Sequence, residues 1–275
     1  MRHPQTPSGD PARFGDYVVD GVLGQGGFAT VYRAHPVAEP QRAVALKVLD
    51  DRHHGEGDLD RLHREFDFAR RVAHPHVVTM YDRGADWVSM EVIGGGTVAG
   101  LTTTADVLAA LAAVADALDH AHRLGVVHCD VKPSNILVRD KPDGGAVLVD
   151  FGVAHSSTAA DDRRATRIEA SLPYTAPEIL HGRSPVAASD EYSLACTTVE
   201  LLIGAPPFTA HTAMALIDAH LHAPVPRYAR RVAWVSHAFD SILAKAMAKD
   251  PDLRYPTCSE FVQLATRALT GRNIA

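Results

Sequence analysis

Several polar groups crowd the stretch His128-Cys129-Asp130-Val131-Lys132-Pro133-Ser134-Asn135, and another carboxylate follows in Asp150-Phe151-Gly152 after the apolar Val147–Val149 segment. Two carboxylates, a carboxamide and an ammonium held just beyond short strands suit phosphoryl transfer. One group accepts a hydroxyl proton, oxygen ligands hold Mg²⁺, and a cation faces the transferring group. A second lysine lies in Val44-Ala45-Leu46-Lys47. Burying an ammonium among apolar neighbours is costly unless an anion meets it. Glu65, on an apolar-striped helix further on, is the candidate anion; the alternative is a snorkelling lysine and an unrelated surface glutamate. Upstream, Gly24-Gln25-Gly26-Gly27-Phe28-Ala29-Thr30-Val31 has glycines where a backbone could close over phosphate oxygens without a Cβ in the way. Alone it reads equally well as an ordinary hairpin. The strand expected after it, in place of a helix, argues against a dinucleotide-binding βαβ unit.

These groups need elements to hold them. Short β-type segments are expected at Tyr17–Leu23, Thr30–Ala34 and Ala43–Leu49, separated by tight turns as in an antiparallel meander. Leu59, Leu62, Phe66, Ala69 and Ala73 then follow the spacing of one helical face and stop before His74-Pro75. Two more strands are expected around Val77–Tyr81 and Trp87–Ile93. Gly94-Gly95-Gly96 breaks the pattern, and the remainder is mainly helical, with a stripe from Val107 to Ala121. Residues 189–203 are apolar nearly all round, which marks a helix at the centre of a helical layer. Thr257-Cys258-Ser259-Glu260 opens the last helix as a capping box. The fold class is α+β, with two lobes. Residues 1–13 read as a flexible lead-in, 14–93 as a strand-rich N-lobe with one helix, 94–270 as a larger helical C-lobe, and 271–275 as the start of a linker.

Composition narrows the function. In 275 residues, 46% hydrophobic and 22% charged content supports a packed core, and a net charge of −6 disfavours general nucleic-acid binding. Cys129, Cys196 and Cys258 form no CxxC pair, so free thiols in a reducing compartment are expected. The histidines lack companions at metal-ligand spacings and read as core or solvated imidazoles. No apolar run of about 20 residues is present, and the N-terminus has no apolar signal region. A soluble, cytoplasmic chain without membrane contact is therefore expected. There are only five lysines among 27 basic residues, and Lys141, Lys245 and Lys249 read as solvated.

In this order and at these spacings, the motifs show that the chain resembles a Hanks-type (eukaryotic-like) bacterial Ser/Thr protein kinase, most closely the receptor-like kinases of actinobacteria. The resemblance runs from about Tyr17 to about Leu269 and leaves no room for a sensor or membrane span, so either would lie beyond Ala275. It implies ATP with Mg (or Mn) as cofactors and protein substrates, the chain itself included, as in signal transduction. Gly24, Gly26 and Gly27 would cover the phosphates, Lys47 would hold the α/β-phosphates while paired to Glu65, and Val31 and Ala45 would sandwich adenine. Met90 matches the gatekeeper, with the backbone of Glu91 and Ile93 as hinge contacts. Asp130 would take or orient the substrate hydroxyl proton, Lys132 would stabilise the γ-phosphoryl, and Asn135 and Asp150 would hold the metal. Glu178 of Ala176-Pro177-Glu178 would pair with Arg254, and Asp190 would hold the catalytic-loop backbone. Lys132 and Ser171 match the Ser/Thr-specific pattern. Relatives of this type often dimerise through the small lobe, so a homodimer through the N-lobe is an expected partner arrangement.

Three departures stand out. Cys129 occupies the position where the family commonly has Arg, so the loop is non-RD and lacks the usual receptor for an activation-loop phosphate. Ser156, Ser157, Thr158 and Thr166 are the loop hydroxyls, and activity independent of their phosphorylation is expected. Ala29 replaces the third loop glycine. Only Gly94–Asp106 separates the hinge from the next helix, which predicts altered ATP affinity and leaves the ribose contact unassigned. A pseudokinase or docking module, and a small-molecule phosphotransferase like the aminoglycoside kinases, are the rival functions.

Overall fold

A computed structural model describes residues 12–140, 145–156 and 171–270. The small lobe is a six-stranded antiparallel sheet in the order β1-β2-β3-β4-β6-β5. Its strands are β1 (Arg13–Phe14), β2 (Tyr17–Gln25), β3 (Ala29–Pro36), β4 (Val44–Leu49), β5 (Met80–Arg83) and β6 (Trp87–Met90). Strand β4 is buried along its whole length. Its alternate residues separate into two packed layers, as the pleat requires. Val44, Leu46 and Val48 join Tyr17, Val19, Ala34 and Trp87 on one face. Ala45 and Leu49 join the main core on the other. Lys47 lies in register with Val31 and Val88, and Ala45 with Met90. That register turns Ala45 and Lys47 toward the cleft between the lobes.

Helix α1 (Glu56–Val72) presents Leu62, Phe66, Ala69 and Val72 to the sheet, with Glu65 buried on the same face. It stops one residue short of the expected Ala73, whose φ of 23° breaks the helical path ahead of His74-Pro75. Two strand expectations shift. The segment at Val77 meets Leu148 in an isolated parallel bridge rather than the sheet, so β5 begins only at Met80. Strand β6 ends at Met90, because the chain from Glu91 onward leaves the sheet for the large lobe.

The large lobe comprises α2 (Thr104–Arg123), α3 (Pro177–Leu180), α4 (Ala187–Ile203), α5 (Ala213–His222), α6 (His237–Ala246) and α7 (Cys258–Thr270). Two ribbons join it: β7 (Val126–Val127) with β10 (His155–Ser156), and β8 (Ile136–Val138) with β9 (Ala146–Leu148). Helix α7 is capped by Thr257, whose Oγ1 accepts from the Glu260 amide. It is capped again across the lobe by the Asp119 carboxylate of α2, which accepts from the amides of Cys258 and Ser259. Among the described residues no helix is long and apolar enough to cross a membrane, and the three cysteines are free thiols.

Helix α4 is central as expected, yet it is not apolar all round. Ser189, Asp190, Glu191, Ser193, Thr197 and Thr198 are all buried on it. Glu191 accepts from the Tyr255 amide at 3.0 Å. Burial raises its pKa from 4.5 to about 8, outweighing that hydrogen bond and the charges of Arg254 and Lys245. A carboxyl raised in the folded state contributes stability that is fully present below its unfolded pKa and is lost as pH rises through the folded one. Between about pH 4.5 and pH 8, Glu191 therefore makes folding progressively less favourable. Glu191→Gln keeps an acceptor for Tyr255 and removes the titration. Its Tm should exceed that of the wild type by a few degrees at pH 9 and match it closely at pH 5. An offset that is the same at both pH values would refute this. Lys249 also departs from the solvated expectation. Its ammonium donates to the carbonyls of His220 and Ala219 at the end of α5, and burial lowers its pKa to about 8.

Candidate active site

Two clusters of polar side chains face each other across the cleft. In the first, Lys47 Nζ lies 2.6 Å from Glu65 Oε2 and 3.5 Å from Asp150 Oδ1. Lys47 is 8% and Glu65 2% exposed, so the pair is shielded from water and from salt. Burial disfavours the ammonium, but Asp150 and Glu65 outweigh it and hold the lysine charged above its usual range. Burial likewise opposes ionisation of Asp150. Lys47, then Arg61, His128 and Lys132, overcome this and hold its pKa at about 2.

The second cluster is the turn after β7. Asp130 Oδ2 accepts from Lys132 Nζ at 2.7 Å and from Asn135 Nδ2 at 3.0 Å. Asn135 Nδ2 also donates to the Asp130 carbonyl, which closes the loop on itself. Lys132 reaches Ser171 Oγ at 2.7 Å, so one ammonium links the Asp130 turn to the segment before α3. Beneath, Asp190 of α4 is fully buried and accepts from the amides of His128 and Cys129, each at 2.8 Å. It also receives His122 Nε2 at 2.8 Å. These bonds hold Cys129 at φ 67°, a left-handed conformation a non-glycine residue adopts only under restraint. Asp150 has φ 65°, so two of the three non-glycine residues with positive φ among the described residues lie at this site. His128 contacts the Val149 carbonyl through Nε2 and meets the Phe151 ring edge-on at 4.6 Å, joining the two motif loops.

The residues expected on the nucleotide side fall around the same cleft. Gly24 pairs with Val31 and Gln25, the last residue of β2, with Thr30, and the Gly26 amide closes a turn onto the Ala29 carbonyl at 2.9 Å. Gly24, Gly26 and Gly27 are exposed at the edge of the cleft. Met90 is buried beside Ala45. The Glu91 amide donates to the Thr79 carbonyl, and Ile93 packs against the core. Past the hinge, the Gly95 amide donates to the Val138 carbonyl and the Val138 amide to the Gly96 carbonyl. A Cβ at Gly95 would lie 2.4 Å from the Val138 oxygen, so only glycine allows this approach. A single 3₁₀ turn, Val98–Gly100, then leads to α2, in keeping with the short connector. Ser156 lies on β10. Ser157, Thr158 and Thr166 lie outside the described residues.

Some residues in the cleft carry no motif. Arg139, after β8, donates to both carboxylate oxygens of Glu91 and to the Pro75 carbonyl. Glu91 thus ties the hinge to the large lobe through its side chain as well as presenting its backbone. Arg61 of α1 lies against Phe28 and Gly152. A charged residue on a helix or strand end gives no sign in sequence that its partner lies dozens of positions away. Below the site, Arg254 forms a two-pronged ion pair with Glu178, with both contacts at 2.8 Å.

Comparison with known proteins agrees with this geometry. The protein kinase domain family matches residues 17–265. The serine/threonine-protein kinase PknJ of Mycobacterium tuberculosis is 38% identical over 274 residues, covering 94% of this chain and 46% of that protein. PknF of the same organism is 34% identical over 281 residues, covering 96% of this chain and 59% of PknF. The chain thus spans about half the length of these curated relatives. The crystal structure of a doubly substituted M. tuberculosis PknI kinase domain superposes with a TM-score of 0.74 at 29% identity, covering 94% of this chain and 98% of that one. With the family matched along nearly its whole length and both polar clusters assembled in one cleft, this chain belongs to the protein kinase family, within its bacterial Ser/Thr branch.

Proposed function

We propose that this chain transfers the γ-phosphoryl group of ATP to Ser and Thr hydroxyls of proteins, itself included, using a non-RD catalytic loop. The observation that carries this is the Asp130–Lys132–Ser171 arrangement. A buried carboxylate is held beside a cation that already engages a serine hydroxyl. Asp130 accepts the proton as the acceptor oxygen attacks the γ-phosphorus. The bond from that phosphorus to the bridging oxygen breaks, and ADP leaves. Lys132 faces the transferring group and Lys47, fixed by Glu65, the α/β-phosphates. Asp130, Lys132, Lys47 and Glu65 are the residues assigned to chemistry. Val31, Ala45, Met90 and the Glu91–Ile93 backbone are assigned to adenine.

Two features suit a nucleotide and metal. A Cβ at Gly24 or Gly27 would meet no protein atom within 4 Å, so the fold itself does not demand glycine there. Space for a ligand above the loop does. Asp150 Oδ1 is buried without a hydrogen-bond partner, although the carboxyl is held ionised. An anionic oxygen in that state fits a divalent cation. Asp150 and the Asn135 amide oxygen would hold Mg²⁺ or Mn²⁺, which when bound neutralises charge developing on the phosphates.

Incubation with Mg·ATP followed by phosphopeptide mapping tests the assignment. Phosphate is expected on Ser and Thr side chains. Phosphorylation confined to added small hydroxylated acceptors would favour the small-molecule phosphotransferase, and none on any acceptor the pseudokinase. Cys129 also leads to a specific outcome. A thiol cannot bind a phosphate as an arginine does, and burial together with Asp190 and Asp130 keeps this one protonated. Replacing Ser156, Ser157, Thr158 and Thr166 together with Ala should leave kcat within about threefold, whereas a drop of about 100-fold would contradict phosphorylation-independent activity.

A further inference from the structure

Arg61 lies on α1, one turn before Glu65. Its guanidinium carbon is 4.2 Å from the centroid of the Phe28 ring, and Lys47 Nζ is 5.1 Å from the same centroid. Phe28 follows directly on the exposed glycines of the loop. Its backbone is fixed from the other side, where its carbonyl accepts from the Asp50 amide at 3.0 Å. Arg61 also passes over the Asp150–Gly152 turn. A Cβ at Gly152 would fall 3.0 Å from Arg61 Nε and 3.1 Å from its Cγ, so the arginine crosses the turn in close contact with it. One half-buried side chain therefore touches the glycine-rich turn through its aromatic residue and touches the metal-side turn directly, from the helix that supplies Glu65.

We propose that Arg61 is a positioning residue that clamps the glycine-rich turn, through Phe28, to α1 and to the Asp150–Gly152 turn, so that closure of the loop over a nucleotide depends on the inward placement of α1. A planar guanidinium stacks on an aromatic face and carries charge over it, which an ammonium does less well. The clamp itself is a property of the free protein, and only its catalytic consequence rests on the proposed transfer activity.

Arg61→Met keeps most of the stem that packs along α1 and removes the charged plane. Without nucleotide, hydrogen exchange of residues 24–29 should become about tenfold faster, while exchange in β4 and the rest of α1 is unchanged. With nucleotide, KM for ATP should rise about tenfold and kcat change by less than about threefold. Phe28→Leu should produce the same change in exchange of residues 24–29, and there the double variant should lose little more than either single one, because both remove the Arg61–Phe28 contact. Arg61→Lys should lie between wild type and Arg61→Met in loop protection. Unchanged exchange in the loop, additive effects of the two substitutions, or faster exchange throughout α1 and β4 would each overturn the clamp. A wild type that shows the exchange pattern but transfers no phosphate would leave the clamp standing and overturn the functional assignment.

Discussion

Asp130→Asn should lower kcat by roughly 10²–10⁴, with KM for ATP nearly unchanged. The carboxylate is 7% exposed and accepts from two donors through the same oxygen, Lys132 Nζ and Asn135 Nδ2. An asparagine in the same rotamer can keep one oxygen toward those donors. Its amide nitrogen then takes the place of the second carboxylate oxygen, where a proton must be accepted. Shape is conserved and basicity is lost. The loop should stay in place, because the Asn135 bond to the Asp130 carbonyl and the Asp190 bonds to the His128 and Cys129 amides do not involve the substituted atoms. Single-turnover phosphorylation under saturating Mg·ATP checks this. A variant retaining full rate would remove Asp130 from the chemistry, and one that loses nucleotide affinity as well would show that the residue holds the fold of the site.

Much of this site was legible in the sequence because its chemistry is short-range. Asp130, Lys132 and Asn135 share one turn, and their mutual bonds follow from that proximity. The Lys47–Glu65 pair was legible for a different reason, since an ammonium on a buried strand needs an anion and few acidic residues lie on a nearby apolar face. Elements with a clean period also emerged close to their true places, as with α1, α2 and β4. Strand β6 was overextended because Val92 and Ile93 continue the apolar run; they pack on the core from a chain that has already left the sheet. Arg61, Arg139, Glu191 and Lys249 were illegible. The ordinary fate of a charged residue is solvation, and each of these has partners contributed by distant segments. Helix α4 differs for another reason: its apolar residues mark burial on all sides, while only the family resemblance, and that for Asp190 alone, gives a polar residue on it an inward role.

Arg254 shows how a residue remote from the chemistry can still control it. Its side chain is fully shielded, with its guanidinium distributed over both Glu178 oxygens, the carbonyls of Ala188 and Ala248, and the face of Tyr192 at 5.0 Å. Glu178 takes one further bond from Ser189 Oγ. Burial opposes ionisation of Glu178, and its bonds to Arg254 and Ser189 overcome this and hold the carboxyl below its usual range. Arg254→Met should therefore destabilise the protein by about 3–5 kcal/mol, the scale for leaving a buried charge uncompensated. That is a large part of a typical total of about 5–15 kcal/mol. Removing both charges, in Arg254→Met with Glu178→Met, should recover part of the loss, since no carboxylate is then left unpaired. Equal destabilisation in the single and double variants, measured by denaturant midpoint, would show that the ion pair is not the source. The consequence reaches the cleft through the chain itself. Glu178 follows Ala176-Pro177, and the Thr175 hydroxyl donates to the Ser171 carbonyl at 3.1 Å. Ser171 in turn meets Lys132 beside Asp130. Loosening α3 at Glu178 therefore frees the segment that presents a hydroxyl to the Asp130 turn, so even at temperatures where Arg254→Met remains folded its kcat should fall while its affinity for adenosine, assigned to the far side of the cleft, should not.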